Sequence, residues 1–331
     1  MFFSIIICSY NPNHSIFEKL LNAILHFGST SPCHEVIIVD NNSSPALSQD
    51  ETVQSFLSKK QNSRVITENK PGLTNARIAG IKDSNAEWLV FFDDDNEPAK
   101  GYLIEAKKII DQYTEVGAWG PGNIHVNYVG QKENNYLDNL KPLFQQRTSS
   151  EICFDNNKVE GNVCYPYGTG LIIRRDILTV YIDEVEKNML TMSDRKGNSL
   201  LSGGDTQILY IGLRMGFFAG SGPSINLTHH ILPGKTKFIN VLKLVYSVNS
   251  GQVKAYNEVF PTHAYPLPVI NNNTLLKQMY FFAKRIIKRP LKFKMALLDL
   301  SKYFGMVKGQ VIAGKKDNPL ILNFWELIIR Y

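Results

Sequence analysis

Trp88-Leu-Val-Phe-Phe-Asp-Asp-Asp-Asn96 is an apolar run that ends abruptly in three carboxylates. Five consecutive apolar residues, Trp88 to Phe92, suit a buried strand, so the acids fall at a strand's carboxyl end. Adjacent carboxylates repel one another and lose solvation when packed inside, so a fold that keeps them at a strand tip calls for a compensating cation. A hard divalent metal, Mg²⁺ or Mn²⁺, meets that need through one or two protein carboxylates, leaving its other positions to water and phosphate oxygens. On this reading Asp93, Asp94 and Asp95 hold a metal against a diphosphate. The plainer reading is an acidic, solvated turn.

Upstream, the chain alternates strand and helix signals. Phe3-Ser-Ile-Ile-Ile-Cys-Ser9 reads as a buried strand that stops at the turn cluster Tyr10-Asn-Pro-Asn13. Ser15 to Phe27 has helical spacing, with Ile16, Leu20, Ala23, Ile24 and Phe27 on one face. Glu35-Val-Ile-Ile-Val-Asp40 is a second strand, Asp50 to Lys59 a helix, Arg64-Val-Ile-Thr67 a third strand and Leu73 to Lys82 a helix. After the acidic stretch come a helix from Tyr102 to Tyr113 and a strand at Val116-Gly-Ala-Trp119. This alternation predicts an α/β fold with a mostly parallel sheet and a site along its carboxyl edge.

Downstream the signals weaken. Residues 121–161 are polar and read as loops with little regular structure. Val163-Cys-Tyr-Pro-Tyr-Gly-Thr-Gly-Leu-Ile-Ile173 resumes a strand-like run, interrupted by Gly168 and Gly170 where backbone or ligand can approach closely. Ser202-Gly-Gly-Asp205 precedes a helix from Thr206 to Met215, and a loop ends in Leu227-Thr-His-His-Ile231. Beyond Gly234 the chain reads as helical and basic, interrupted at Pro261, Pro266 and Pro268.

At 331 residues, 44% hydrophobic and 20% charged, the chain is globular and long enough for a large core, as one big domain or a domain plus an extension. Its four cysteines, Cys8, Cys33, Cys153 and Cys164, are scattered without a CxxC pair, which points to reduced thiols and away from zinc. The apolar start, Met1 to Ile7, lacks basic residues and a cleavage pattern and reads as a first strand rather than a signal peptide. Charge is uneven: residues 275–331 carry 12 Lys+Arg against 3 Asp+Glu, a net of +9, while residues 1–274 carry 24 against 27. That tail has no nucleic-acid-binding signature and no nucleic-acid partner is expected. It interleaves Phe, Tyr, Ile and Leu with Lys and Arg, which suits an anionic membrane surface or a basic solvated helical face.

No glycine follows the first strand at Ser9-Tyr-Asn-Pro-Asn-His14, so a GxGxxG dinucleotide cradle is absent, as is a P-loop. Four polar clusters stand in their place: Ser9 to Asn11, Asp40 to Ser43, Lys70 to Arg77 and Asp93 to Asp95. In a parallel sheet all four lie along one edge. Asp40 has the chemistry to accept from a base edge and Arg77 to hold phosphate charge. Singly, each is as well read as a turn or surface residue.

Phe3 to Asn11, Val36-Ile-Ile-Val-Asp-Asn-Asn-Ser43, Gly72-Leu-Thr-Asn-Ala-Arg77, Phe91-Phe-Asp-Asp-Asp95 and Gly203-Gly-Asp205 together resemble, in order, the motifs of the family-2 glycosyltransferases with the GT-A fold. The resemblance covers roughly residues 1–235 and implies a Rossmann-like α/β fold with helices flanking the sheet. It implies an inverting hexosyl transfer from a nucleotide-diphosphate sugar, a UDP-sugar first, to a glycan or lipid-linked glycan in bacterial surface-polysaccharide assembly. By the same resemblance Asp40 contacts the base, while Ser9, Tyr10 and Asn11 flank the nucleoside. Arg77, Asp93 and Asp94 lie near the nucleotide, and Asp93 and Asp95 match the two acids of a DxD motif, with Asp95 first for the metal. Asp205 matches the catalytic base, a role an in-line displacement at the anomeric carbon requires, although an Asp before a helix is also a common N-cap. The residue before it, often Glu in the family, is Gly204 here, which alters any acceptor contact made there. Tyr167, Gly168 and Thr169 match the acceptor-lining position, and His229 or His230 the late histidine that such enzymes lend to the metal.

The expected organisation is a GT-A domain at 1–235, divided into a nucleotide-sugar half at 1–120 and an acceptor half at 121–235, then a basic helical extension at 236–331. The expected setting is cytoplasmic, peripheral on the inner face of the membrane. Rival readings are a sugar-1-phosphate nucleotidyltransferase, a catalytically silent nucleotide-sugar-binding module, and a membrane-tethering protein whose tail is the function.

Overall fold

β1 (Phe3–Ser9) is buried except at the half-buried Cys8 and lies between β2 (His34–Asp40) and β4 (Trp88–Asp93), parallel to both. β3 (Ser63–Thr67) adds parallel to β2 on the outer side. The computed structural model describes residues 1–331 except 29–30, 159–161, 192–193, 195–201, 265–270, 289–291 and 331. Pro266 and Pro268 therefore lie outside the described residues.

Helices α1 (His14–Leu25), α2 (Glu51–Lys59), α3 (Leu73–Asp83) and α4 (Tyr102–Gln112) follow or connect these strands. The Asn13 side chain accepts from Ile16 N to start α1, and Asp50 accepts from Thr52 N and Val53 N to start α2. α3 approaches the sheet closely at Gly80, where a Cβ would come within 2.6 Å of Ile6 Cγ2. Seating α3 this near the sheet explains why glycine stands there.

Among the described residues the sheet has nine strands in the order β3-β2-β1-β4-β8-β6-β9-β5, with β7 on β9. β5 is Asn96–Pro98, β6 Val116–Tyr128, β7 Cys153–Asp155, β8 Leu171–Arg174 and β9 Phe218–Ile231. β8 runs antiparallel to β4 and β6, and β5 and β7 antiparallel to β9; the other strands are parallel. The mostly parallel α/β sheet matches the expectation. From β1 the chain winds outward through β2 and β3, then returns to place β4 on the opposite side of β1. That reversal is a topological switch point, where parallel α/β sheets open a crevice at their carboxyl ends.

Two expectations fail downstream. Residues 121–128 continue β6 rather than looping, and the supposed loop before Ile231 is the 14-residue strand β9. Their polar residues misled because each strand alternates a packed and a wetter face, with register shifts near Val116/Ala118 and Pro121/Asn123. α5 (Asn135–Leu140) and α6 (Arg175–Glu186) also go beyond the predicted elements. The expectation of four reduced thiols fails as well. Cys153 and Cys164, 11 residues apart, form a disulfide between β7 and the following loop, while Cys8 and Cys33 are free.

The chain divides into two compact units, one of Met1–Met189 with Ile208–Leu232, the other of Leu190–Gln207 with Pro233–Tyr331. The sheet lies wholly in the first. α7 (Gly204–Arg214) runs across the division at residues 207 and 208. In the second unit α8 (Phe238–Val259), α9 (Asn272–Lys288), α10 (Phe293–Ala313) and α11 (Leu320–Arg330) realise the predicted helical extension. α10 presses against α8 through Ser301, Gly305 and Gly309: Ser301 Oγ donates to Leu242 O at 2.8 Å, and a Cβ on Gly305 would come 2.5 Å from Tyr246 O. α11 is tied in by Glu326, which accepts from Tyr246 Oη at 2.6 Å and pairs with Lys308 Nζ at 3.0 Å.

Candidate active site

At the switch point Ser9 Oγ, ending β1, donates to Asp94 Oδ2, just past β4, at 2.8 Å. The turn that carries the acids is closed by Asn96, whose Oδ1 accepts from Asp93 N at 3.1 Å. Asp93 and Asp94 are half-buried and Asp95 is buried. Beneath them, burial pushes the Cys8 thiol up to about 12; the Arg77 guanidinium opposes the shift, and Asp93 and Asp94 add to it. Arg77, buried on α3, thus shares the electrostatic field of these carboxylates.

The loop after β2 is built on side-chain bonds to backbone. Asp40 is buried and accepts from Ser43 N through Oδ1 and from Leu47 N through Oδ2, both at 2.8 Å. Each oxygen retains a second lone pair. Asn11 and Asn42 take left-handed backbone angles, φ 46° and 69°, and Asn11 Oδ1 accepts from Ser44 N at 2.8 Å. Tyr10, next to them, is 64% exposed. Asn41 is a strut absent from the predicted site residues. Its Nδ2 donates to Glu68 O at 2.7 Å and Lys70 O at 2.8 Å, and its Oδ1 accepts from Gly72 N at 2.8 Å. Gly72 is the residue that starts α3, so Asn41 fixes the approach to Arg77.

The register of β9 separates the two histidines. His229 pairs with Asn96 across β5–β9, and its Nε2 lies 3.4 Å from Asp95 Oδ1. Its Nδ1 lies 2.9 Å from Phe144 O, an acceptor only, so Nδ1 carries a proton and the ring is oriented with Nε2 toward the carboxylate. His230 turns to the other face, as alternation requires. There its Nε2 lies 2.7 Å from Glu97 Oε2 and its Nδ1 2.9 Å from Asn127 Nδ2. The structure does not bring His230 to Asp95 through its ring, although its backbone N–H donates to Asp95 O at 2.9 Å.

Among the described residues no three His, Cys, Asp and Glu side chains gather as a metal cage. Asp95 and His229 instead form a two-donor set, carboxylate and imidazole. This fits a divalent ion that takes few protein ligands and completes its shell with phosphate oxygens and water.

Further along, Thr169 is buried with no hydrogen-bond partner for Oγ1 among the described residues, and its N–H reaches Gln145 Oε1 at 3.4 Å. Gly170 has φ +70°, and a Cβ there would come 2.5 Å from Leu227 Cδ2. The Arg147 guanidinium lies 4.3 Å over the half-buried Tyr167 ring and donates to Tyr165 O at 2.7 Å. The Gly168 carbonyl closes the turn by accepting from Leu171 N at 3.3 Å. Phe144, Gln145 and Arg147 support these positions from a segment whose sequence carries no periodic signal that could have marked them.

In the second unit Asp205 is half-buried near the start of α7, its Oδ1 accepting from Thr206 N at 2.9 Å. Gly204 N donates to Asp194 Oδ2 at 3.3 Å, and Gly203 has φ 147°. Gln207 Nε2 donates to Glu258 Oε2 at 2.7 Å and anchors this turn to α8.

Residues 4–181 match the family model described as Glycosyl transferase family 2. Among solved structures, a mannosyltransferase from Pyrobaculum calidifontis in complex with GDP-Man and Mn²⁺ is similar at 15% identity, TM-score 0.52, over 98% of this chain and 78% of that one. S. aureus TarS 1-349 is similar at 16% identity, TM-score 0.48, over 95% and 91% of the two chains. Its complex with UDP-GlcNAc is similar at 16% identity, TM-score 0.46, over 96% and 93%.

Proposed function

The chain belongs to glycosyl transferase family 2 and is a glycosyltransferase of the GT-A fold; from that premise we propose an inverting transfer from a nucleotide-diphosphate sugar to a glycan or lipid-linked glycan. The observation that carries this reading is the Asp95–His229 pair at 3.4 Å, beside the Ser9–Asp94 contact at the switch point. Asp95 and His229 would hold Mn²⁺ or Mg²⁺, which when bound supplies positive charge against the donor's diphosphate. The mannosyltransferase of the same fold, held with GDP-Man and Mn²⁺, supports that pairing of donor and metal.

Arg77 adds a fixed cation near the diphosphate, and the loop from Asp40 to Ser43, with Ser9, Tyr10 and Asn11, receives the nucleoside. Tyr167, Gly168, Thr169 and Gly204 border the acceptor. Asp205 takes the proton of the acceptor hydroxyl as that oxygen attacks the anomeric carbon and the nucleoside diphosphate departs. A UDP-sugar is the first donor to test. The setting proposed is the inner face of the cytoplasmic membrane in surface-polysaccharide assembly, where a lipid-linked acceptor would lie.

A thermal-shift panel of nucleotides and nucleotide sugars, with and without Mn²⁺, tests the reading, because ligand binding raises apparent stability with affinity. The expected result is a shift with one nucleotide-diphosphate sugar that grows with Mn²⁺ and disappears with EDTA. Asp205→Asn should abolish transfer from that donor while leaving its shift intact. Turnover by this variant at the wild-type rate would remove Asp205 from the role of base.

A further inference from the structure

Two helices of the second unit keep large apolar side chains on their outer faces. On α9 the exposed Leu276, Tyr280 and Ile287 recur at helical spacing as one stripe, and Ile287 is 80% exposed. Lys277, Lys284 and Lys288, also exposed, run beside that stripe. The opposite side packs inward, with Leu275 fully buried and the Phe282 ring 6.4 Å from that of Tyr303 on α10. On α11 Leu320, Phe324, Leu327 and Ile328 are exposed, Leu320 at 74%, with Asn323 the polar residue exposed among them, while Leu322, Trp325 and Ile329 face inward. The two helices start side by side, Ile321 N donating to Asn272 Oδ1 at 3.3 Å. α10 exposes Phe293, Met295 and Met306 as well, while its Ser301, Gly305 and Gly309 pack on α8.

Soluble surfaces rarely leave such apolar sets uncovered. No helix among the described residues is long and apolar enough to cross a membrane. A helix with an apolar stripe flanked by lysines suits the interfacial plane of a bilayer. We propose that the outer faces of α9 and α11 dock on an anionic lipid bilayer, apolar stripes in the headgroup–acyl boundary and the α9 lysines on lipid phosphates. Charge selects this occupant: a second copy would set like charges together in a segment of net +9, whereas anionic headgroups neutralise them. The inference deepens the membrane setting proposed above and is independent of the transfer reaction.

Sedimentation of the full chain with phosphatidylglycerol–phosphatidylcholine vesicles, against pure phosphatidylcholine vesicles, tests it without using donor or acceptor. Binding should favour the anionic vesicles and weaken with salt. Lys277→Gln/Lys284→Gln/Lys288→Gln should lower the anionic partition on the order of 100-fold, since each lysine near the surface is worth roughly fivefold. Tyr280→Asp/Ile287→Asp and Phe324→Asp/Leu327→Asp should each cost at least about tenfold, through lost apolar burial. Because all these side chains are exposed, the variants should melt at the wild-type temperature. Equal binding to both vesicle types, or undiminished binding by either Asp pair, would overturn the proposal. So would concentration-dependent self-association that the Asp pairs abolish in a chain that ignores vesicles, which would assign the surface to a second copy. A chain that binds vesicles but no nucleotide sugar would leave this inference standing and overturn the proposed reaction.

Discussion

His229 points Nε2 at Asp95 Oδ1 across 3.4 Å, while its Nδ1 is engaged by the Phe144 carbonyl at 2.9 Å. The backbone carbonyl fixes the ring orientation and so brings Nε2 toward the carboxylate. His230, on the opposite face, spends both ring nitrogens on Glu97 and Asn127. His229→Ala should therefore weaken Mn²⁺-supported binding of a nucleoside diphosphate by about 10–100-fold, as losses at metal sites do. His230→Ala should spare that binding and lower the melting temperature instead. Calorimetric titration of Mn²⁺ into the diphosphate-loaded protein separates the two; equal losses would dissolve the distinction.

Asn41 holds three backbone groups of the segment leading into α3. Asn41→Asp keeps the shape but replaces two donors with acceptors that face the Glu68 and Lys70 carbonyls. The expected cost is about 2–4 kcal/mol, since buried carbonyls lose their partners and meet a like partial charge. Urea denaturation measures it. Arg77 stands on the helix this strut seats, so nucleotide affinity should fall as well. A variant as stable as wild type would show that the strut is redundant.

Glu35 gives the stability a pH dependence of known sign. Burial alone would raise its pKa, but hydrogen bonds from Ser4 Oγ at 2.6 Å, Asn85 N at 2.8 Å and Arg64 Nη1 at 2.8 Å outweigh burial and hold the carboxyl below its ordinary value. Its contribution is fully present above the unfolded carboxylate pKa, about 4.3, and is lost as pH falls through the lower folded value. Glu35→Gln should be less stable than wild type at neutral pH, and the gap should close on acidification below that range. A pH series of urea melts reads this directly; a gap that widened in acid would contradict the assignment.

The contact between α8 and α10 depends on the absence of a side chain at Gly305. A Cβ there meets the backbone Tyr246 O at 2.5 Å, which cannot rotate away. Gly305→Ala gains helix propensity worth up to about 1 kcal/mol, yet should be destabilising by roughly 1–3 kcal/mol net because the helices must separate. Thermal unfolding of the second unit checks it. A rise in melting temperature would mean that the helices part at little cost.

Much of the first half was legible in the amino-acid chain. Phe3 to Ser9, Glu35 to Asp40 and Trp88 to Phe92 are continuous apolar runs with polar ends, and such runs become buried parallel strands because both faces need covering. The carboxyl-edge position of Ser9, Asp40 and Asp93 to Asp95 follows from that alone. The continuation of β6 beyond Trp119 and the strand β9 were not legible, because a strand that intersperses polar residues on one face resembles a loop.

The sequence by itself determined the α/β class, the order of the polar clusters, the family resemblance and the basic helical end, because each follows from local periodicity or from motifs in linear order. Tertiary structure decided which histidine meets Asp95, that Ser9 grips Asp94, that Cys153 joins Cys164 and which outer helix faces stay uncovered. These depend on strand register and packing between distant segments; the carbonyl that orients His229 stands 85 residues away, and no local pattern encodes that encounter.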